Sequence, residues 1–150
     1  MDSQLFNSTV YDEIAFGPRQ LGLTEEEVSQ RVQDTLSLLK IEDLRDRVPY
    51  QLSGGEKKKV AFASIMVTNP DVYILDEPFN NLSKEYEEFF RELLHELHSS
   101  GKTIIMSAHH FKHLHHEKAD VLLFEDGKAD FFPAQEVLNN QQVIERLSHY

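Results

Sequence analysis

The run Val72-Tyr73-Ile74-Leu75 constrains the fold more than any other feature, because it is short, continuous and apolar and ends directly in charge. Such a run is expected for a strand buried on both faces, as in a parallel sheet. Asp76, Glu77 and Pro78 follow it. Ligands of open parallel sheets collect at the carboxyl ends of strands. The run therefore predicts a buried strand that carries two carboxylates to a site.

Strand and helix patterns alternate along the rest of the chain, which favours a mostly parallel sheet with helical crossovers. The periodicities predict, in order, a helix over 84–98, a buried strand over 103–106, a helical stretch over 111–117, a strand over 121–124, a turn at Asp126-Gly127 into a strand over 129–132, and a helical tail over 134–147. We expect residues 70–150 to form this α/β part.

Residues 1–69 are expected to form a separate helical part. Thr9 caps a short helix that Gly17-Pro18 is expected to end. Thr24-Glu25-Glu26-Glu27 is a capping box. The helix after it carries one apolar face, formed by Val28, Val32, Leu36 and Leu39. Pro49 is predicted to lie in a loop.

The stretch Leu52-Ser53-Gly54-Gly55-Glu56 is a second capping box with two glycines inside it. A helix start presents unpaired amides and a positive dipole end, and glycines let an anion approach the backbone. The pattern fits a phosphate site, with an ordinary capped helix as the alternative. Apolar residues then carry the helix to Asn69-Pro70, namely Val60, Ala61, Ile65 and Met66. Lys57, Lys58 and Lys59 either steer phosphate or, as we favour, face solvent.

Asp76 and Glu77 suit two different tasks at one strand end. An aspartate there can hold Mg²⁺ directly or through water. The neighbouring glutamate can orient or deprotonate an attacking water. The alternative is a pair of solvated loop carboxylates, but Leu-Asp-Glu-Pro after an apolar strand is a specific string.

His109 follows the next predicted strand, so it can reach the same phosphate. His113 and His116 continue at helical spacing from it, with His110 and His115 nearby. These histidines could form a metal site, but a solvated helix surface with one catalytic histidine is favoured because no cysteine joins them.

Composition excludes several classes of protein. The net charge of −11 over 150 residues argues against a broad nucleic-acid surface. There is no cysteine, hence no disulfide framework and no thiolate zinc site. No signal peptide pattern is found, and the apolar runs are far shorter than a bilayer span. Any membrane contact is therefore expected to go through a partner.

Taken together, these motifs resemble the ATP-binding subunits of ABC transporters, over nearly the whole chain. Leu52 to Glu56 matches the signature motif, Val72 to Pro78 matches Walker B, and Ser107-Ala108-His109-His110 matches the switch-histidine region. The opening Asp2-to-Leu23 stretch is similar to the energy-coupling-factor group, importers of cobalt, nickel or vitamins. The fold implied is a partial P-loop NTPase-type parallel sheet, the C-terminal half of an ABC ATPase domain, preceded by a helical subdomain.

The resemblance also implies a mode of action. Two ATPase subunits would bind ATP between them at the cytoplasmic face of the membrane, against an integral membrane transport subunit. Asp76 would help to hold Mg²⁺, Glu77 would act as the base and His109 would contact the γ-phosphate. The helix start formed by Ser53, Gly54, Gly55 and Glu56 would bind the opposite subunit's ATP.

The chain departs from the family pattern at several places. No two of its six glycines fit G-x-x-x-x-G-K-[ST], so Walker A is absent and the chain is expected to be a truncated subunit. The Q-loop glutamine is also absent. Ser83 and His110 stand where the family often has aspartate. Whether this chain hydrolyses ATP by itself stays open.

Two other functions remain as alternatives. One is a non-transport ABC ATPase acting in DNA repair or on ribosomes, which the acidity and the lack of long coiled coils disfavour. The other is a non-catalytic partner that supplies only a signature face.

Overall fold

The structure, a computed structural model, describes residues 8–110 and 118–149, which fall into two compact units. The first unit takes in the chain up to Tyr73 together with Asn81–Ile104. The second takes in Ile74–Asn80 together with the chain from Ile105 onward. The sequence-based division into 1–69 and 70–150 stays a prediction.

Four long helices build the first unit: α1 (Val10–Gln20), α2 (Glu25–Leu38), α3 (Gly54–Met66) and α4 (Lys84–Ser99). Two short 3₁₀ turns, Glu42–Leu44 and Pro49–Gln51, lie between α2 and α3. The loop predicted at Pro49 is therefore one of these turns. Helix α4 confirms the prediction over 84–98.

Helix α1 begins as predicted but runs further than expected. The Thr9 hydroxyl accepts a hydrogen bond from the Asp12 amide and caps it. The end predicted at Gly17-Pro18 is wrong, because α1 continues to Gln20. Gly17 lies so close to the chain after α3 that a Cβ would come within 2.8 Å of Thr68 Cγ2. Pro18 is fully buried. Tertiary packing thus outweighs two local helix breakers.

Both predicted capping boxes are present, at Thr24 with Glu27 and at Ser53 with Glu56. The predicted apolar face of α2 is confirmed, since all four of its residues are fully buried. The face predicted for α3 is partly wrong. Ile65 is 43% exposed, whereas Phe62 is buried and stacks on Tyr73 with ring centroids 5.8 Å apart.

Strands β1 (Val72–Asp76) and β2 (Thr103–Ser107) pair with each other. The Thr103 amide bonds to the Asp71 carbonyl at the start of both strands, and the Ser107 hydroxyl bonds to Asp76 at their ends. The strands are therefore parallel, as predicted, with α4 as the crossover between them. Their carboxyl ends meet at one edge.

The burial predicted for these two strands is wrong. Ile74 is 76% exposed and Ile105 is 52% exposed, and in β1 only Tyr73 is buried. Among the described residues β1 and β2 form a two-stranded sheet. Successive side chains of a strand point to opposite faces of the sheet, so the exposed positions of β1 and β2 alternate with positions that are buried or half-buried.

The second unit contains an antiparallel hairpin and two short helices. Strands β3 (Val121–Glu125) and β4 (Lys128–Phe132) pair across the turn at Asp126-Gly127, as predicted. The predicted single tail helix is instead α5 (Ala134–Asn139) and α6 (Gln141–Leu147). Asn140 is extended and its side chain caps α6, accepting from the Gln142 amide. Hairpin and helices share a small core formed by Val121, Val137, Val143 and Leu147.

The helical stretch predicted over 111–117, with His113, His115 and His116, lies outside the described residues. In the part that is described, no helix is both long and apolar enough to cross a bilayer.

Candidate functional site

The serine that ends β2 ties together the two carboxylate residues that end β1. The Ser107 hydroxyl donates to Asp76 Oδ1 over 2.5 Å and accepts from the Glu77 amide over 3.0 Å. One hydroxyl thus fixes both the Asp76 side chain and the Glu77 backbone. All three residues belong to the second unit.

The chain turns sharply at Glu77, whose φ of 45° lies in the left-handed region. For a glutamate this conformation is uncommon and is found where surrounding structure enforces it. The Ser107 hydrogen bond to its amide supplies one such restraint, and the bond from the Asn80 amide to the Glu77 carbonyl supplies a second. Because of this turn, the chain at Glu77 leaves the direction of strand β1.

The Glu77 carboxylate is held at both oxygens. His109 Nε2 lies 2.5 Å from Oε1, and Asn80 Nδ2 donates to Oε2 over 2.7 Å. The Glu77 side chain is 27% exposed, whereas that of His109 is 80% exposed. The carboxylate is therefore oriented by its neighbours while the imidazole faces solvent.

A small open pocket lies against this group. It is lined by residues 77–80 after β1 and residues 107–110 at the end of β2. The structure thus brings together three predicted residues, Asp76, Glu77 and His109. Two further contributors, Ser107 and Asn80, were not singled out from the sequence. Ser107 had a signal, since a serine at the end of one parallel strand lies beside the carboxylates that end the next.

The histidines predicted from the sequence lie partly within and partly outside the described residues. Among residues 8–110 and 118–149, no group of three or more histidine, aspartate or glutamate side chains is arranged to hold a metal ion. His113 and His116 are not among those residues.

The predicted phosphate-binding helix start belongs to the first unit. The Ser53 hydroxyl accepts from the Glu56 amide at 3.3 Å, and Glu56 Oε2 accepts from the Ser53 amide at 2.7 Å. Hydrogen bonds from the Ser53 amide and hydroxyl lower the pKa of Glu56. Ser53 and Gly54 are exposed.

The two glycines at this helix start have different surroundings. A Cβ at Gly54 would meet nothing within 4 Å, so the backbone there is open to an incoming group. A Cβ at Gly55 would come within 2.8 to 2.9 Å of the Tyr86 ring. Gly54 thus leaves room outside the protein, whereas Gly55 leaves room for a side chain of α4.

Lys59, the third of the lysines that follow, contacts neighbouring elements of the first unit. Lys59 was expected to face solvent or to steer phosphate, but its Nζ donates to the Leu39 carbonyl at 3.0 Å. It also lies 4.0 Å from the centroid of the Phe89 ring. Burial lowers the pKa of Lys59. The favoured expectation is therefore wrong for Lys59, which joins α3 to α2 and α4.

Comparison with known proteins identifies the family. A sequence model of the family described as ABC transporter matches residues 2–80. The chain belongs to the ABC transporter family. The matched segment contains the signature stretch and the Asp76-Glu77 pair, and it confirms the resemblance found from the motifs.

Three proteins similar to this ABC transporter chain are transport ATP-binding proteins or part of a transporter complex. The nickel import ATP-binding protein LarO of Lactiplantibacillus plantarum is 53% identical over 111 residues, covering 74% of this chain and 46% of that protein. The energy-coupling factor transporter ATP-binding protein EcfA of Carboxydothermus hydrogenoformans is 35% identical over 145 residues, covering 97% and 54%. The structure of CbiO1 from Clostridium perfringens, part of the ABC transporter complex CbiONQ, superposes with a TM-score of 0.80 at 33% identity, covering 97% of this chain and 59% of that one.

The α/β fold expected from the resemblance is thus that of a known ABC ATPase structure. The chain spans about half the length of the curated relatives it matches.

Proposed function

We propose that this chain provides the signature and Walker B parts of an ATP-binding and ATP-hydrolysing subunit of an ABC importer that takes up a metal ion or a vitamin. The observation that carries the proposal is the cluster of Asp76, Glu77, Ser107 and His109 at the adjacent ends of two parallel strands. Likeness to a nickel import protein, an energy-coupling factor protein and CbiO1 supports the importer class.

Asp76 fits the part of a Mg²⁺ ligand. Mg²⁺ is bound in nucleotide sites by one or two carboxylates plus waters and substrate phosphates, rather than by a full protein cage. Asp76 is exposed and its Oδ1 is held by the Ser107 hydroxyl, so the carboxylate is oriented before any ion arrives. Mg²⁺, when bound, would neutralise charge on the β- and γ-phosphates.

Glu77 fits the part of the general base. Its carboxylate is held at both oxygens and borders an open pocket large enough to admit water. A base must lie within hydrogen-bond reach of the proton it takes, which an oriented carboxylate at a pocket wall can satisfy. We assign His109, which is exposed beside Glu77, the parts of contacting a γ-phosphate and of orienting the Glu77 carboxylate.

The helix start from Ser53 to Glu56 fits the part that contacts ATP held by a second subunit. The capping box uses the amides of Ser53 and Glu56, which leaves the helix start at the two glycines between them for a ligand. The helix dipole favours a negative group there, and Gly54 leaves open space for one. The proposed partners are a second ATPase subunit and an integral membrane transport subunit, with ATP as ligand and no nucleic acid.

A hybrid protein tests the proposal. The amino-terminal part of a full-length family member that contains G-x-x-x-x-G-K-[ST] would be joined to this chain, and ATP hydrolysis measured. We expect hydrolysis by the hybrid and very weak Mg-ATP binding by the 150-residue chain alone, because the glycine-rich loop supplies most phosphate contacts. Micromolar affinity for Mg-ATP in the isolated chain would refute the inference that it lacks the loop that holds the phosphates, and an inactive hybrid would count against the proposed function.

Mixed dimers of the hybrid then test the division of roles. Ser53→Arg in one subunit and Glu77→Gln in the other leave one composite site intact, because each site takes its base and its signature from different subunits. Both changes in the same subunit, paired with an unchanged one, damage both sites. Hydrolysis should therefore survive in the first arrangement and be lost in the second. Ser29→Arg, at an exposed serine of α2, is the control for added bulk and charge. Equal activity in the two arrangements would overturn the proposed roles.

A further inference from the structure

The contact between Gly55 and Tyr86 joins the start of α3 to the first turn of α4. An ideal Cβ on Gly55 would lie 2.8 Å from Tyr86 Cζ and 2.9 Å from each Cε atom. Real Cβ atoms essentially never lie closer than 3.0 Å to such a neighbour, so any side chain at Gly55 would force the ring or the helix start to shift. The ring therefore lies directly on the backbone at Gly55.

A second contact between α3 and α4, that of Lys59 with Phe89, lies one helical turn further along the same faces. Lys59 is four residues after Gly55 and Phe89 three after Tyr86, so both pairs share helix faces. Lys59 Nζ lies 4.0 Å from the Phe89 centroid and 5.3 Å from that of Tyr86. A cation over aromatic rings is attractive, and more so where it is partly desolvated. Together the two contacts restrain the distance between α3 and α4 and the rotation of α3 about its own axis.

Tyr86 is itself held by the cap of α4. The Ser83 hydroxyl accepts from the Tyr86 amide at 3.4 Å, so Tyr86 is the third residue of that helix. Serine is a preferred helix cap, so Ser83 stabilises the helix start that carries Tyr86.

We infer that Tyr86 is a positioning residue for the part of the α3 helix start that is proposed to face phosphate, the backbone at Gly54 and Gly55. The inference rests on the proposed function of that helix start. The tyrosine does not contact nucleotide. Its ring packs against Gly55, where only glycine leaves room for it. This contact sets the distance and the tilt of the start of α3 relative to α4.

The isolated 150-residue chain gives a test that is independent of catalysis. Residual dipolar couplings of the backbone amides of residues 53–56 report their orientation. They should change in Tyr86→Ala and in Tyr86→Leu, and stay near their wild-type values in Tyr86→Phe, which keeps every ring carbon at the contact. His95→Ala, which removes an exposed ring from the same helix, is the matched control. Unchanged couplings in both Tyr86→Ala and Tyr86→Leu would overturn the inference.

Hydrolysis by the hybrid protein gives the functional test. Gly55→Ala should lower kcat by up to about 10²-fold, the cost of a 1 Å misplacement, with little change in KM because the other subunit holds the ATP. Tyr86→Ala should lower kcat while Tyr86→Phe restores it. Adding Gly55→Ala to Tyr86→Ala should cost little more, because the clashing ring is gone.

The outcomes separate the two proposals. A hybrid that does not hydrolyse ATP counts against the proposed function and leaves the dipolar-coupling test of Tyr86 standing. An active hybrid in which Tyr86→Ala matches wild type in kcat, or in which the two losses simply multiply in the double variant, overturns the positioning role alone.

Discussion

Replacing Glu77 by glutamine removes a proton acceptor while keeping its shape. In the structure Glu77 Oε1 faces His109 Nε2 at 2.5 Å, and Oε2 accepts from Asn80 Nδ2 at 2.7 Å. A glutamine can turn its carbonyl oxygen toward Asn80 and its amide toward an unprotonated His109 nitrogen. Both anchoring contacts then survive, so the side chain should stay in place and nucleotide binding should be kept.

The expected loss is therefore that of the base alone. General base catalysis contributes about 10² to 10⁴-fold. At about 1.36 kcal/mol for each factor of ten, this range raises the activation barrier by about 2.7 to 5.4 kcal/mol. We expect Glu77→Gln to lower kcat of the hybrid protein by about 10²-fold or more.

The assay is single-turnover ATP hydrolysis alongside equilibrium binding of Mg-ATP, both on the hybrid protein. Glu88→Gln is the matched control, because Glu88 is an exposed carboxylate of α4 that pairs with Lys84 at 3.8 Å. It should leave both measurements unchanged. Asp76→Asn should show the opposite pattern to Glu77→Gln, weakening Mg-dependent binding by removing charge beside the ion.

Normal hydrolysis in a Glu77→Gln homodimer would refute the assignment of the base. A parallel loss of binding and hydrolysis would refute the structural reasoning instead, since it would mean that the amide does not keep the two anchoring contacts.

Three further outcomes are expected. Ser107→Ala should raise the Mg²⁺ concentration needed for half-maximal hydrolysis by the hybrid, because Asp76 loses its hydroxyl partner. Ser107→Thr keeps the hydroxyl and should need the wild-type Mg²⁺ concentration, and a raised requirement in both variants would contradict this reasoning. Gly17→Ala should lower the free energy of unfolding by about 1 to 3 kcal/mol in urea titrations, since a Cβ would lie 2.8 Å from Thr68 Cγ2. An unchanged free energy of unfolding would show that Thr68 moves aside at little cost. Hydrogen bonds from the Thr24 backbone and side chain lower the pKa of Glu27 from 4.5, so its contribution to stability is complete above pH 4.5 and lost as the pH falls through the folded value. The difference in urea midpoint between wild type and Glu27→Gln should accordingly vanish in acid, and a constant difference would exclude this linkage.

Local signals in the sequence were sufficient for the helix starts and for one complete helix face. The capping boxes at Thr24 and Ser53 depend on residues three apart, and the buried face of α2 depends on spacing within one helix. The turn at Asp126-Gly127 is equally local, since both residues take positive φ. Such features can be read without knowing the rest of the fold.

Features set by tertiary contacts were missed. Helix α1 passes through Gly17 and Pro18 because the chain after α3 packs against it. The apolar run of β1 predicts burial on both faces, yet Ile74 is exposed because burial depends on which neighbours cover a strand. At the site, Asp76, Glu77 and His109 were predicted from strand ends, whereas Ser107 as their link required knowing that β1 and β2 are adjacent.

The turn between β3 and β4 has a consequence for the order of folding. Asp126 and Gly127 both have positive φ, as a two-residue type I′ turn requires, and Glu125 pairs directly with Lys128 across it. Such hairpins close in about 1 to 10 μs. Pairing of β1 with β2 instead has to bring together strands separated by all of α4, a non-local contact that forms more slowly. The carboxylate edge at Asp76 should thus be assembled after the hairpin, and a pulse-labelled amide exchange experiment would find β3 and β4 protected first.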